Sequence, residues 1–135
     1  MVKRYVLEPS SAVARTLLRR HRCLSSTILS MEVMSALNRR RAAGDLAAAD
    51  FAANSSRLTE DRRRWELVPV TGPLLALAEE LVKGRQNLLR TLDAIHLAAA
   101  LTFRSTSWLR VPFATADARH REAAGAAGLP VLWAG

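Results

Sequence analysis

The sequence predicts an α/β fold, a parallel sheet flanked by helices, on three observations. Short apolar runs that read as strands alternate with amphipathic helical stretches, alanine occupies 24 of 135 positions, and one helical stretch is apolar nearly all round. Alternation of strand and helix is the pattern of parallel sheets covered by helices. Frequent alanine with only 5% aromatic residues predicts an aliphatic core and helices packed closely on something flat. A helix apolar on every face belongs at the centre of a domain. At 135 residues the chain has the size of one ordinary domain, and residues 1–135 read as a single domain.

The elements follow in order. Pro9, Ser10 and Ser11 signal a helix start, and Val13, Leu17 and Leu18 follow at helical spacing, which predicts a helix over residues 11–21. Residues 23–26 suit a short strand. Ser30 is the expected cap of a second helix, whose apolar Val33, Met34 and Leu37 share one face and which Gly44 ends; Glu32 sits in its first turn. Asp45 is expected to open a third helix, running through Phe51 and Leu58 to the charged run 60–64 and lying antiparallel to the second. Residues 67–70 read as a strand. Thr71 and Gly72 start a helix with Leu74, Leu77, Leu81 and Val82 inward and Gly84 as its stop, and residues 85–90 make a basic connection. Residues 92–101 form the central helix, with Asp93 its only charge. A strand over 111–116, Asp117 at its end, a helix over 118–127 and a strand over Val131–Trp133 complete the chain, with no internal repeat and no low-complexity linker.

No apolar run approaches the roughly 20 residues that span a bilayer, and residues 1–5 lack a signal-peptide core, so a cytoplasmic protein with no membrane partner is expected. The single cysteine, Cys23, offers neither an internal disulfide nor a zinc cluster and reads as a small core residue. Twenty Lys and Arg against twelve Asp and Glu leave a charge of +8, with arginine heavily preferred. That balance fits a polyanionic partner, because guanidinium binds phosphate in a fixed two-pronged geometry. A soluble surface in a chain rich in arginine and alanine accounts for the charge equally well.

Glu32, Asp93 and Asp117 each fall at or near the start of an expected helix. Any one of them has a plain explanation, since acids there complement the helix dipole and Asp117 can be an N-cap. As a set they lie where open parallel sheets collect ligands, outside the carboxyl ends of the strands. A carboxylate opening an otherwise apolar helix needs a partner, and three carboxylates in one pocket need a cation to hold them ionised. Mg²⁺ or Mn²⁺ suits such a set, being hard and able to hold a phosphate while keeping waters.

Leu92-Asp93-Ala94-Ile95-His96-Leu97-Ala98, Phe113-Ala114-Thr115-Ala116-Asp117 with Gly128-Leu129-Pro130-Val131, and Ser30-Met31-Glu32-Val33 with Ala36-Leu37 occur in this order along nearly the whole chain. Together they resemble the motifs of PIN domains. The resemblance implies a three-layer PIN-like fold, metal ligation by Glu32, Asp93 and Asp117, and Thr115 as a polar residue supporting them. It further implies RNA cleavage by a VapC-like toxin that uses Mg²⁺ or Mn²⁺, is restrained by a cognate antitoxin and pairs as a homodimer. Arg4, Arg90 and Arg119, close in sequence to the segments that should edge the groove, are the candidate RNA contacts. His96, one turn from Asp93, reads as a buried histidine bonded to structure rather than as a ligand. Trp65, Trp108 and Trp133 are scattered and read as packing or dimer contacts ahead of base stacking.

Family members begin with an apolar strand ending in an aspartate, followed by a segment like Val2-Lys3-Arg4-Tyr5-Val6-Leu7-Glu8-Pro9. This chain opens inside that segment, so the first strand and first aspartate are expected to be missing from residues 1–135. A strand of about five buried apolar residues is worth on the order of 10 kcal/mol, so low stability and weak nuclease activity are expected of the chain. Two other classes remain open: an inactive protein that keeps the basic surface and binds RNA or an antitoxin, and a purely structural helical RNA-binding protein, which leaves Asp93 unexplained.

Overall fold

The computed structural model describes residues 2–5, 11–84 and 89–135. The helix-start residues Pro9 and Ser10, residues 6–9 of the family-like opening segment and residues 85–88 of the basic connection lie outside the described residues. The fold is mixed α/β and divides into two compact units, one of residues 1–23 and 27–66, the other of residues 24–26 and 67–135.

The first unit holds a 3-10 turn at Val2–Arg4, α1 (Ser11–Arg20), α2 (Leu29–Ala42) and α3 (Ala48–Arg62). Its core is Tyr5, Leu29, Val33, Leu37 and Leu58, with Met34, Leu46, Phe51 and Trp65 packed against it. Leu29, Val33 and Leu37 recur at a spacing of four, the stripe an amphipathic helix buries. That stripe moves the start of α2. Ser30 does not cap it: the cap position falls at Ile28, and Ser30 lies inside the first turn with its Oγ buried and without a hydrogen-bond partner among the described residues. Starting earlier places Leu29 in the helix, 4% exposed.

Gly44 ends α2 as expected, with a positive φ of 81°. The N–H groups of Gly44 and Asp45 donate back to the carbonyls of Arg41 and Arg40, the pairing that closes a helix through a left-handed residue. Asp45 is thereby used to finish α2 and cannot open α3, which starts at Ala48 with Ala47 at the cap. The two helices are antiparallel, as expected: Arg41 lies over the Phe51 ring at 4.9 Å, while Met34 accepts a hydrogen bond from Ser55 at 3.9 Å.

The second unit holds β1 (Leu24–Ser26), β2 (Glu66–Val68), α4 (Gly72–Lys83), α5 (Thr91–Ser107), β3 (Phe113–Thr115), α6 (Ala118–Ala126) and β4 (Val131–Trp133). The described strands form two pairs, β1 with β2 and β3 with β4, in place of one continuous sheet. β3 and β4 are parallel, in the register Phe113 to Val131, Ala114 to Leu132 and Thr115 to Trp133. Two prolines explain why strands are shorter than expected, since proline has no N–H for a ladder. Pro69 stops β2 at Val68, and Pro112 delays β3 until Phe113, whose N–H donates to the Pro130 carbonyl at 2.7 Å.

Thr71 caps α4, its hydroxyl accepting the Leu74 N–H at 3.4 Å, with Pro73 in the first turn. α4 packs on α5 and buries Leu74 and Ala78, whereas Val82, expected inward, is 45% exposed. In α5 the buried run is Ala94, Ile95 and Leu97 to Ala100, while Leu92 faces out. Small alanine side chains let two helices approach closely, and this pair of helices is the core of the unit.

One ionic cluster anchors the chain's start in the first unit. Arg4 holds Asp61 with two nitrogens, Nη2 to Oδ1 at 2.6 Å and Nε to Oδ2, and the Tyr5 hydroxyl donates to Oδ2 at 2.8 Å. Burial pushes the Asp61 carboxyl up, but hydrogen bonds from Arg4 and Tyr5 outweigh it and hold it below its usual value. A depressed carboxyl stabilises the fold above its unfolded pKa and loses that contribution as pH falls. Asp61→Ala is therefore expected to cost about 2–4 kcal/mol at pH 7, because it strands a part-buried guanidinium and a buried hydroxyl. Urea denaturation of the variant beside the wild type should show the gap narrowing below about pH 4; a gap unchanged at acid pH would rule out the ionic account.

Candidate functional site

Asp93 stands in the first turn of α5 and Asp117 occupies the cap position of α6, where β3 ends. Asp117 Oδ1 accepts the N–H groups of Arg119 at 2.8 Å and His120 at 3.3 Å. Its other oxygen lies 3.3 Å from Arg119 Nη2. This contact with the Arg119 side chain, followed by the backbone bonds, holds the Asp117 carboxyl below its ordinary value, so it is anionic at neutral pH. Thr115 is buried, and its Oγ1 accepts the Asp117 N–H at 3.1 Å while its carbonyl accepts the Ala134 N–H at 2.8 Å. The threonine thus ties the turn that presents Asp117 to the β3–β4 pair.

The two acids are joined by a residue that the sequence did not single out. His120 Nε2 donates to the Asp93 carbonyl at 3.0 Å, and the edge of its ring meets Phe113 with centroids 4.6 Å apart. Burial lowers its pKa below the usual histidine value, against the pull of Asp93, so at neutral pH the imidazole is uncharged. The 3.9 Å approach of Nδ1 to Asp93 Oδ1 is then not an ion pair. The available signal was the spacing: three residues beyond a capping Asp117, a side chain lies back over the first turn.

Glu32 lies in the first turn of α2, half-buried, in the first unit. Arg90 is exposed at the cap position of α5, and Arg119 is paired with Asp117. Arg4 is engaged with Asp61, its side chain only 19% exposed. His96 is a structural histidine, with Nδ1 at 3.0 Å from Ser26 Oγ and 3.3 Å from Ser25 Oγ on β1. Cys23 is half-buried, its thiol donates to the His21 carbonyl, and burial raises its pKa, which makes it a poor nucleophile. Trp65 packs on the first unit's core, and Trp133 carries the Arg121 guanidinium 4.8 Å over its ring.

The donor set of the second unit suits a hard cation. Asp93 and Asp117 offer carboxylates on side chains that are 31% and 44% exposed, and the nearby imidazole has its N–H committed to the backbone. Among the described residues, no group of three His, Cys, Asp or Glu within either unit is placed to hold a metal. Two carboxylates fit a divalent ion that keeps most of its waters, as Mg²⁺ and Mn²⁺ do.

The model of the PIN domain family matches residues 5–126, a span that includes Glu32, Asp93, Thr115 and Asp117 and stops at the end of α6. The chain belongs to the PIN-domain family. PIN domains are a nuclease fold, typically metal-dependent. No curated protein and no solved structure matches this chain.

The dual use of Asp117, as helix cap and as exposed carboxylate, can be separated. Asparagine caps a helix as well as aspartate, whereas alanine does not. Asp117→Ala is expected to lose about 1 kcal/mol in metal-free urea denaturation, and Asp117→Asn to stay within about 0.5 kcal/mol of the wild type. Equal losses in both would show that charge, not capping, is what the helix requires.

Proposed function

We propose that this PIN-domain protein is a Mg²⁺- or Mn²⁺-dependent endoribonuclease, the VapC-like toxin of a toxin-antitoxin pair. The observation that carries the reading is the hydrogen bond from His120 to Asp93, because it brings the starts of α5 and α6, and with them two carboxylates, to one end of the second unit. Asp93 and Asp117 would hold the cation, with Glu32 assigned as third carboxylate on the resemblance of residues 30–33 alone. A bound cation of this kind supplies Lewis-acid activation of a phosphodiester and of the water that attacks it. Thr115 fixes the Asp117 backbone, and Arg119 balances the charge of that carboxylate so that it remains ionised. Arg90 and Arg119 stand three and two residues from Asp93 and Asp117 and are the phosphate contacts of this reading.

A cognate antitoxin and a homodimer belong to the same proposal, both on the family resemblance, and the antitoxin also on the +8 charge, which an acidic partner complements. The competing reading, RNA binding without cleavage, draws on Asp117 already serving as a cap and as the partner of Arg119.

Cleavage of a single-stranded RNA separates the two. Chelation is expected to abolish it and Mn²⁺ to restore it, while Asp93→Asn and Asp117→Asn each fall at least about 100-fold with unchanged circular dichroism. Mn²⁺ should also raise the wild-type melting temperature, and less so in either variant. Wild-type cleavage by Asp93→Asn would end the assignment, and tight RNA binding with no cleavage in Mn²⁺ would favour the binding protein.

A further inference from the structure

At the end of the second unit away from Asp93 and Asp117, α5 terminates on a tryptophan in a glycine's conformation. Trp108 is the capping residue, with φ 59°, and its N–H donates to the Arg104 carbonyl at 3.0 Å. Glycine is the ordinary occupant of that position, and a bulky side chain there is held at a conformational cost. The fold draws little packing from the indole, which is 89% exposed; Leu109 beside it is 58% exposed. Two residues further on, Arg110 and Val111 line a cavity of about 420 Å³ together with Arg104, Gly128, Leu129 and Pro130. Arg104 is fixed in that wall by donating to the carbonyls of Gly128 at 2.8 Å and Ala127 at 3.3 Å. Both charged residues lining the cavity are arginines, and no carboxylate is among its walls.

An open aromatic face next in sequence to a concave surface whose charged residues are both arginines is a combination that suits single-stranded nucleic acid, where bases stack and guanidinium groups meet phosphates. We propose that Trp108, Arg110 and Arg104 form a second binding site for single-stranded RNA, with a base on the Trp108 ring and the adjoining phosphate over Arg110 in the cavity that Arg104 backs. The site is separate from the carboxylates. Arg104 stands eleven positions beyond Asp93 on α5, a rise of about 16 Å, and the cavity sits at the start of β3, whereas Asp117 follows its end. Its role as a holding site for the substrate rests on the proposed action on RNA, but binding at it requires neither cation nor cleavage.

The experiment is fluorescence anisotropy of a labelled single-stranded uridine oligomer with the full chain in EDTA, where cleavage is silent. Three variants are compared with the wild type: Trp108→Gly, chosen because glycine suits that backbone, Arg110→Ala, and Arg39→Ala, an exposed arginine of α2 as a control for general loss of charge. Trp108→Gly and Arg110→Ala are each expected to weaken binding about 10-fold, and Arg110→Ala to flatten the log-log salt dependence by about 0.7, with Arg39→Ala unchanged. Unaltered affinity in the first two overturns the site, as does an equal loss in all three. Sedimentation in which Trp108→Gly dissociates an oligomer while RNA affinity persists also overturns it, assigning the surface to a second copy of the chain. The expected losses in a protein that never cleaves RNA would support the site while removing the nuclease reading.

Discussion

The hydrogen bond from His120 to the Asp93 carbonyl sets the geometry on which the proposed cation site depends, because it ties the start of α6 to the start of α5. A carbonyl in the first turn of a helix has two lone pairs, and the helix uses only one. His120 takes the other, so a ring projecting from α6 reads the position of α5 without disturbing its ladder. Because the ring is buried and neutral, it adds no positive charge beside Asp93. A protonated imidazole in the same place would neutralise the carboxylate that it positions. Thr115 does the corresponding work for Asp117, fixing the backbone N–H of the residue that caps α6. Asp93 is thus positioned through a main-chain atom and Asp117 through its N–H and its capping carboxylate, and both side chains remain partly exposed.

Around that arrangement the packing is made of small residues and short strands. Ala94 and Ala98 to Ala100 are buried on α5, and Leu74 and Ala78 are buried on α4, which packs against it. Close helix approach of this kind contributes dispersion contacts and needs few large side chains. The strands contribute less than their sequence suggested, since Pro69 and Pro112 each remove a ladder donor and reduce the pairing to three residues a strand.

Much of this was legible in the sequence, and what was not has physical reasons. Among the described residues the six α-helices and four strands overlap the stretches that the apolar pattern marked, Val131–Trp133 with its expected limits, but α5 runs six residues past its expected end at Leu101, to Ser107, and so carries Arg104 as a second charge beside Asp93. The misplaced boundaries have local causes, proline at two strands and competition for the cap at two helices, because the sequence shows which residues can cap and the surrounding structure decides which do. Ser30 was displaced from its cap by the burial of Leu29, and Asp45 by the closing bonds at Gly44. Asp93, Thr115 and Asp117 were marked by type and spacing, and the structure supplies the hydrogen bonds that connect them. His120 had only its spacing from Asp117 to mark it, because its partner is a backbone carbonyl, which every residue possesses and no composition reveals. The Arg4, Tyr5 and Asp61 cluster was hidden for a different reason, since it joins residues more than fifty positions apart with no periodicity between them.

The Arg104 guanidinium has a structural result beyond the wall it forms. It grips the carbonyls that finish α6, while His120 grips the carbonyl that begins α5, so the two helices run side by side in the same direction and are fastened at both ends. The spans differ: about 16 Å of rise from Asp93 to Arg104 against about 10 Å from His120 to Ala127. The long arginine arm makes up the remainder. Two clasps on one pair of rods suppress fraying from either terminus, because opening one leaves the other closed. Amide protons of α5 and α6 should then exchange as one block, and local breathing that would let the starts of the two helices drift apart is confined to opening of the block as a whole.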